Sequence, residues 1–107
     1  FCFIENTVQA NLLAATTEDP SARNQVYNVA VSGRTTLNSL FVALKKELGV
    51  NGVLYTKDPI YRDFREGDVR HSQADIGKIK GRLGYDPLYF IEEGVAKAVP
   101  WYITFLK

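Results

Sequence analysis

Leu37, Leu40, Phe41, Leu44 and Leu48 recur at i, i+3, i+4, i+7 and i+11, which sets five large apolar side chains on one stripe of an α-helix. Thr35 or Thr36 stands just before this stripe and can cap it, its hydroxyl accepting a hydrogen bond from an amide of the first turn. Gly49 is expected to supply the left-handed residue that ends the helix. Three further segments carry the same kind of period. Ile4, Val8, Leu12 and Ala15 recur at spacings near four and predict a helix from about Ile4 to Thr16, with those four on its core side. Ser72, followed three residues later by Asp75, resembles a capping box with the shorter acid; it opens a helix whose core side is Ile76, Ile79 and Leu83 and which Gly84 closes. Ile91, Val95, Ala98, Val99, Tyr102 and Leu106 form the apolar side of a last helix. Pro100 is expected to kink it, because proline removes an amide donor and clashes with the carbonyl four residues back.

Residues 17–24, with Glu18, Asp19, Pro20 and Ser21, read as a polar surface loop. Two short runs have strand character. Gln25 to Val31 holds Val26, Tyr27, Val29 and Val31 and ends at Ser32-Gly33; Val53 to Thr56 follows the Asn51-Gly52 turn and leads into Asp58-Pro59. Two strands rarely stand alone in water, so these are expected to extend a sheet of a longer parent or to pack under the helices. The expected fold class is α/β, mostly helical with two short strands. Gly77, Gly81 and Gly84 fall within a predicted helix and at its end with no strand leading in, which suits close packing and a C-cap rather than a dinucleotide fingerprint.

A chain of 107 residues fits one domain, spanning 1–107, and 46% hydrophobic against 23% charged residues sets disorder aside. The net charge of +1 gives no field of one sign, so nucleic acid and membrane surfaces are not expected partners and any anion site has to be local. One cysteine and one histidine cannot assemble a metal site by the usual ligand spacings, and Cys2 has no disulfide partner, which favours a reducing, cytoplasmic compartment. Cys2 is expected to be a buried small hydrophobe, and Trp101 and Tyr102 packing residues of the last helix. The apolar run Ala98 to Leu106 is broken by Pro100 and is too short to span a bilayer core of about 30 Å. A chain that starts at Phe1, lacks a basic leader and contains no methionine is expected to be a piece of a longer protein.

Tyr61 to His71 has no clean period and carries Arg62, Asp63, Arg65, Glu66, Asp68 and Arg70 around Gly67. Gly67 allows a tight turn that points Arg65 and Asp68 to the same side. A guanidinium offers a planar fork of donors that suits phosphate, and a carboxylate accepts from the two hydroxyls of a ribose. Together they suit a nucleoside diphosphate. Spacing alone leaves a second possibility open, that the two simply pair with each other on the surface.

The run Phe3-Ile4-Glu5-Asn6-Thr7-Val8, then Val26-Tyr27-Asn28-Val29 with Thr36-Leu37 after it, then Arg65-Glu66-Gly67-Asp68-Val69, and Ala74-Asp75 leading to Leu83-Gly84-Tyr85 occur in that order. This resembles the C-terminal third of extended short-chain dehydrogenase/reductase enzymes, specifically the UDP-sugar 4-epimerases. In particular it looks like bacterial UDP-N-acetylglucosamine 4-epimerases of surface polysaccharide (lipopolysaccharide) biosynthesis, down to the Pro100-Trp101-Tyr102 ending. The resemblance implies that Arg65 contacts the diphosphate and Asp68 the uridine ribose. It also implies a parent that inverts the C4 hydroxyl of a UDP-hexosamine through a 4-keto intermediate, with NAD bound by an N-terminal Rossmann domain absent from this chain; a homodimeric parent is compatible with it. Such enzymes use a tyrosine with a lysine four residues on. Here position i+4 is Val31 after Tyr27, Pro59 after Tyr55, Arg65 after Tyr61, Tyr89 after Tyr85, Glu93 after Tyr89 and Leu106 after Tyr102. No catalytic or cofactor-binding residue is therefore assigned, and the chain alone is expected to be inactive. Arg34 and His71 receive no role. The alternatives are a lobe of a related nucleotide-sugar dehydratase or decarboxylase, and a helical module using Arg62, Arg65, Arg70, Lys78, Lys80 and Arg82 as a basic edge for nucleic acid or protein.

Overall fold

All four periodic segments form helices. The computed structural model describes residues 1–106, in the order α1 (Ile4–Thr16), a 3₁₀ turn (Pro20–Ala22), α2 (Leu37–Val50), α3 (Gly77–Leu83) and α4 (Ile91–Phe105). Among the described residues no β-strand forms, so the chain is helical and the two expected strands are corrected.

The reason lies in what each segment meets. The stretch after the 3₁₀ turn forms no strand, and three of its carbonyls are taken by side chains instead of a neighbouring strand. Lys78 donates to Val26 O at 2.9 Å, Tyr85 Oη to Ala30 O at 2.8 Å and Gln73 Nε2 to Ser32 O at 2.8 Å. Tyr27, Val29 and Ala30 pack from it against the core, while Val26 is 86% exposed. At 53–56 Tyr55 meets the Phe41 ring edge to face, while Leu54 is 87% exposed.

The core is small. Ala10 of α1, Ala22, Ile76, Ile79, Leu83 and Tyr85 form one buried cluster, with Leu13 against it. The α3 face, Ile76, Ile79 and Leu83, is the one its period predicted. Its N-terminus is closed by Asp75, whose Oδ1 accepts from Gly77 N at 2.7 Å, and its C-terminus by Gly84 in the left-handed region at φ 66°. Ser72 takes no part in this cap. Gly81 has open space where a Cβ would stand, so close packing is not its role.

The face of α1 is not the predicted one. Ile4, Val8 and Leu12 lie exposed, and the buried residues are Asn6 and Ala10. Asn6, fully buried at 0% exposure, satisfies its whole amide across the fold: Nδ2 donates to Tyr89 O at 2.6 Å and Oδ1 accepts from Leu88 N at 2.9 Å and Tyr89 N at 3.1 Å. That contact brings Phe3 onto α4, where Gly94 makes room for its ring; a Cβ at Gly94 would stand 3.0 Å from Phe3 Cβ. Lys97 of α4 pairs with Glu5 of α1 at 3.4 Å, and the neighbouring carboxylate raises its pKa.

Helix α2 begins as predicted, with Thr36 Oγ1 accepting from Ser39 N at 3.0 Å. Its end is shifted. Gly49 is still helical, and the left-handed residue is Gly52 at φ 78°, with Gly52 N bonded to Gly49 O at 3.0 Å and Val53 N to Leu48 O at 2.8 Å. This double closure satisfies the last carbonyls of the helix. Helix α2 packs on α4 yet buries no residue fully. Helix α4 continues through Pro100, which is exposed. Trp101 is half-exposed, in edge contact with Tyr102 and stacked on Phe105. The Cα radius of gyration, 17.1 Å, exceeds the roughly 13 Å of a compact domain of this length.

Two outcomes are expected. Asn6→Ala strands two amides and a carbonyl out of water, and should lower stability by about 2 to 4 kcal/mol in urea denaturation of the chain. Tyr85 is 1% exposed, and its burial, aided by the nearby Cys2, pushes the phenol from 10.0 up to about 12. The unfolded chain therefore releases this proton first, so the contribution is complete below pH 10.0 and is lost as pH rises toward about 12. The alkaline loss, on the order of 2 to 3 kcal/mol, should disappear in Tyr85→Phe when unfolding is followed against pH.

Candidate functional site

A long loop of mostly exposed residues, 53–76, joins α2 to α3 and carries the residues singled out for nucleotide chemistry. Tyr61 Oη donates to Asn38 Oδ1 of α2 at 3.1 Å near its start. The chain then turns back at Glu66-Gly67, where Asp68 N donates to Arg65 O at 3.1 Å and Gly67 sits at φ 84°. Only a residue without a Cβ takes this conformation cheaply.

The turn brings Arg65 and Asp68 together. Asp68 Oδ2 accepts from Arg65 N at 3.1 Å and from Arg65 Nε at 3.5 Å, and Oδ1 lies 3.4 Å from Arg65 Nη2. The side chains are 88% and 37% exposed, so in the free chain they form a surface ion pair. Such a pair contributes about 0 to 1 kcal/mol. A phosphate hydrogen-bonded to the guanidinium is worth roughly 1.5 to 3 kcal/mol, enough to displace the carboxylate from it. The pairing is thus no barrier to a ligand that offers phosphate to Arg65 and hydroxyls to Asp68.

Other groups of the loop are held separately. Arg70 lies over the Phe64 ring at 4.8 Å. His71 Nδ1 is 2.7 Å from Arg34 Nη2, a contact between residues far apart in the chain that no local spacing announces. Three of the other basic candidates have their own partner: Lys78 bonds to Gln25 and Val26, Lys80 pairs with Asp86 at 3.6 Å, and Arg82 donates to Ser21 Oγ at 3.0 Å.

The cavities lie elsewhere. A groove of about 390 Å³ runs between the first residues, α2 and α4, lined by Phe3, Leu40, Leu44, Tyr89 and Val95 among others, and a shallow one of about 430 Å³ follows α2 at Lys46 and Glu47. Neither includes Arg65 or Asp68. Cys2 borders the first groove and is exposed, not buried as expected; Thr7 Oγ1 is 3.8 Å from its sulfur. Among the described residues no group of His, Cys, Asp or Glu is placed to hold a metal ion, and no helix is long and apolar enough to cross a membrane.

No protein-family model matches the chain. Individual relatives do. It is 31% identical over 101 residues to a protein of Methanocaldococcus jannaschii provisionally named UDP-glucose 4-epimerase, a match covering 94% of this chain and 30% of the relative. It is 26% identical over 102 residues to UDP-glucose 4-epimerase of Mycolicibacterium smegmatis, covering 95% and 30%. Over 44 residues it is 42% identical to dTDP-glucose 4,6-dehydratase of Xanthomonas campestris, covering 41% and 12%. The relatives are thus named as nucleotide-sugar epimerases and dehydratases, and the chain matches the C-terminal part of them. It spans about 30% of the length of the two relatives that it matches almost end to end.

Because Gly67 holds a positive φ with open space around it, Gly67→Ala strains the backbone without a clash. The expected cost is about 1 kcal/mol, confined to the turn. Amide signals of residues 64–69 should broaden or shift in NMR spectra while those of α1 and α4 stay in place.

Proposed function

We propose that this chain is the C-terminal, UDP-sugar-binding lobe of an NAD-dependent UDP-sugar 4-epimerase, with UDP-N-acetylglucosamine as substrate in the biosynthesis of surface polysaccharides. The observation that carries the reading is the placement of a guanidinium and a carboxylate 3.4 Å apart on a glycine turn, both open to solvent. Arg65 would hold the pyrophosphate and Asp68 the ribose hydroxyls, each exchanging the other for a ligand group. The named activities of the relatives support the class of substrate.

The chain's own chemistry ends at binding. No tyrosine has a lysine four residues on. The described residues also do not fit a dinucleotide: Gly77 and Gly81 lie inside a seven-residue helix and Gly84 caps it, with no strand before them. NAD and the proton-transferring couple therefore belong, in this reading, to an N-terminal Rossmann domain of the parent. The exposed Ile4, Val8 and Leu12 and the large radius of gyration suit a lobe that completes its packing against such a domain.

Calorimetry of the chain with UDP and with UDP-N-acetylglucosamine tests the reading. Arg65→Ala should weaken both roughly 10- to 100-fold, the worth of one charged phosphate contact. Asp68→Asn should weaken UDP more than it weakens 2′,3′-dideoxy-UDP. No turnover of UDP-N-acetylglucosamine is expected from the chain alone. Unchanged affinity in Arg65→Ala overturns the assignment, and salt-sensitive binding of oligonucleotides without UDP binding would point to the basic-edge alternative instead.

A further inference from the structure

The loop that carries Arg65 and Asp68 is anchored at both sides of the charged stretch, by Tyr61 on Asn38 at 3.1 Å and by Gln73 on Ser32 O at 2.8 Å. Between those anchors, among the described residues, the hydrogen bond that ties the loop to another part of the chain is Arg34 Nη2 to His71 Nδ1, at 2.7 Å. The chemistry of the partners settles where the proton sits. A guanidinium has donors only, so Nδ1 has to accept, and His71 in this contact is a neutral imidazole with its hydrogen on Nε2. A second proton would land on Nδ1 itself. It would turn the acceptor into a donor and set two cations face to face.

The contact exists in one protonation state. The charged groups near it do not offset this. Asp68 is engaged by Arg65, Asp75 caps α3 through Gly77 N, and Arg70 lies over Phe64, while the segment before α2 presents Arg34 to the ring. Histidine is the side chain whose charge changes within the range a cell or a buffer visits.

We propose that Arg34 is a positioning residue for the loop bearing Arg65 and Asp68, and that its hydrogen bond to neutral His71 is a proton-sensitive latch which opens on acidification. The inference rests on the reading of this loop as the nucleotide site. Arg34 touches no ligand in it; it restrains the segment 62–71 between the two anchors, so that the turn at Gly67 is presented in one orientation.

The experiment uses the ¹⁵N-labelled chain without ligand, titrated from pH 8 to 5.5. In the wild type the amides of 64–70 should follow the His71 ring signals with one shared midpoint and gain fast motion on the acidic side. In His71→Asn, whose side-chain oxygen can accept at any pH, they should stay ordered throughout; in Arg34→Gln they should be mobile throughout. Loop amides that ignore the His71 titration, or that titrate alike in His71→Asn, overturn the latch.

UDP-glucose, whose pyrophosphate does not titrate in this range, is the ligand. Its affinity should fall about 5- to 10-fold from pH 8 to 5.5 in the wild type, as expected for one lost hydrogen bond, and stay level in His71→Asn. Affinity that rises with acid makes His71 a direct cationic contact and also overturns the latch. A loop that follows His71 in a chain that binds no UDP-glucose sustains the latch and defeats the nucleotide assignment, which keeps the two failures apart.

Discussion

A primary amide sealed between α1 and the segment leading into α4 governs the arrangement of this chain. Asn6 has two polar ends and no access to water, so burial of α1 against the approach to α4 is tolerable only where Leu88 and Tyr89 offer two N–H groups and a carbonyl in matching positions. That requirement fixes the rotation of α1 about its axis. It turns Ala10 and Leu13 toward α3, sets Phe3 in the space left by Gly94, and leaves Ile4, Val8 and Leu12 facing outward. A network of this kind specifies one orientation because any other leaves several groups unpaired.

The second buried polar group acts in the same sense. Tyr85 follows the αL cap of α3 and donates to Ala30 O, so the short helix and the stretch after the 3₁₀ turn are held by one hydroxyl that has no solvent to compete for it. With Tyr27 donating to Ala22 O at 2.7 Å, that stretch is fastened to the 3₁₀ turn as well. The small apolar core and these few buried hydrogen bonds support a frame from which the charged loop projects. In the proposed reading, exposure of that loop is what leaves Arg65 and Asp68 free to trade one another for a ligand.

Much of the helical framework could be read from the chain alone, because helix boundaries obey local rules. The bounds of α1, the Thr36 cap and the Gly84 stop depend on residues within one turn of each other. The facing of α1 could not be read, since a period shows that a stripe exists and not which neighbour will cover it; the amide of Asn6 outweighed three aliphatic side chains. The β-branched run at 25–31 did not become a strand, because a ladder needs a partner strand, and here side chains took several of the carbonyls. The Arg65 and Asp68 juxtaposition was legible for the same local reason as the caps, being a four-residue turn around a glycine. Arg34 and His71 were not, because their contact depends on how the loop returns to the start of α2.

The occupied carbonyls at Val26, Ala30 and Ser32 have one more consequence. An open stretch rich in valine is ordinarily a template on which foreign backbone can register and propagate as cross-β aggregate. In this chain an ammonium, a phenol and a carboxamide already occupy acceptors that an incoming strand would need. Sticking together through that segment would first demand that the fold let go of its own side chains, so resistance to fibril growth is built into the same contacts that replaced the sheet.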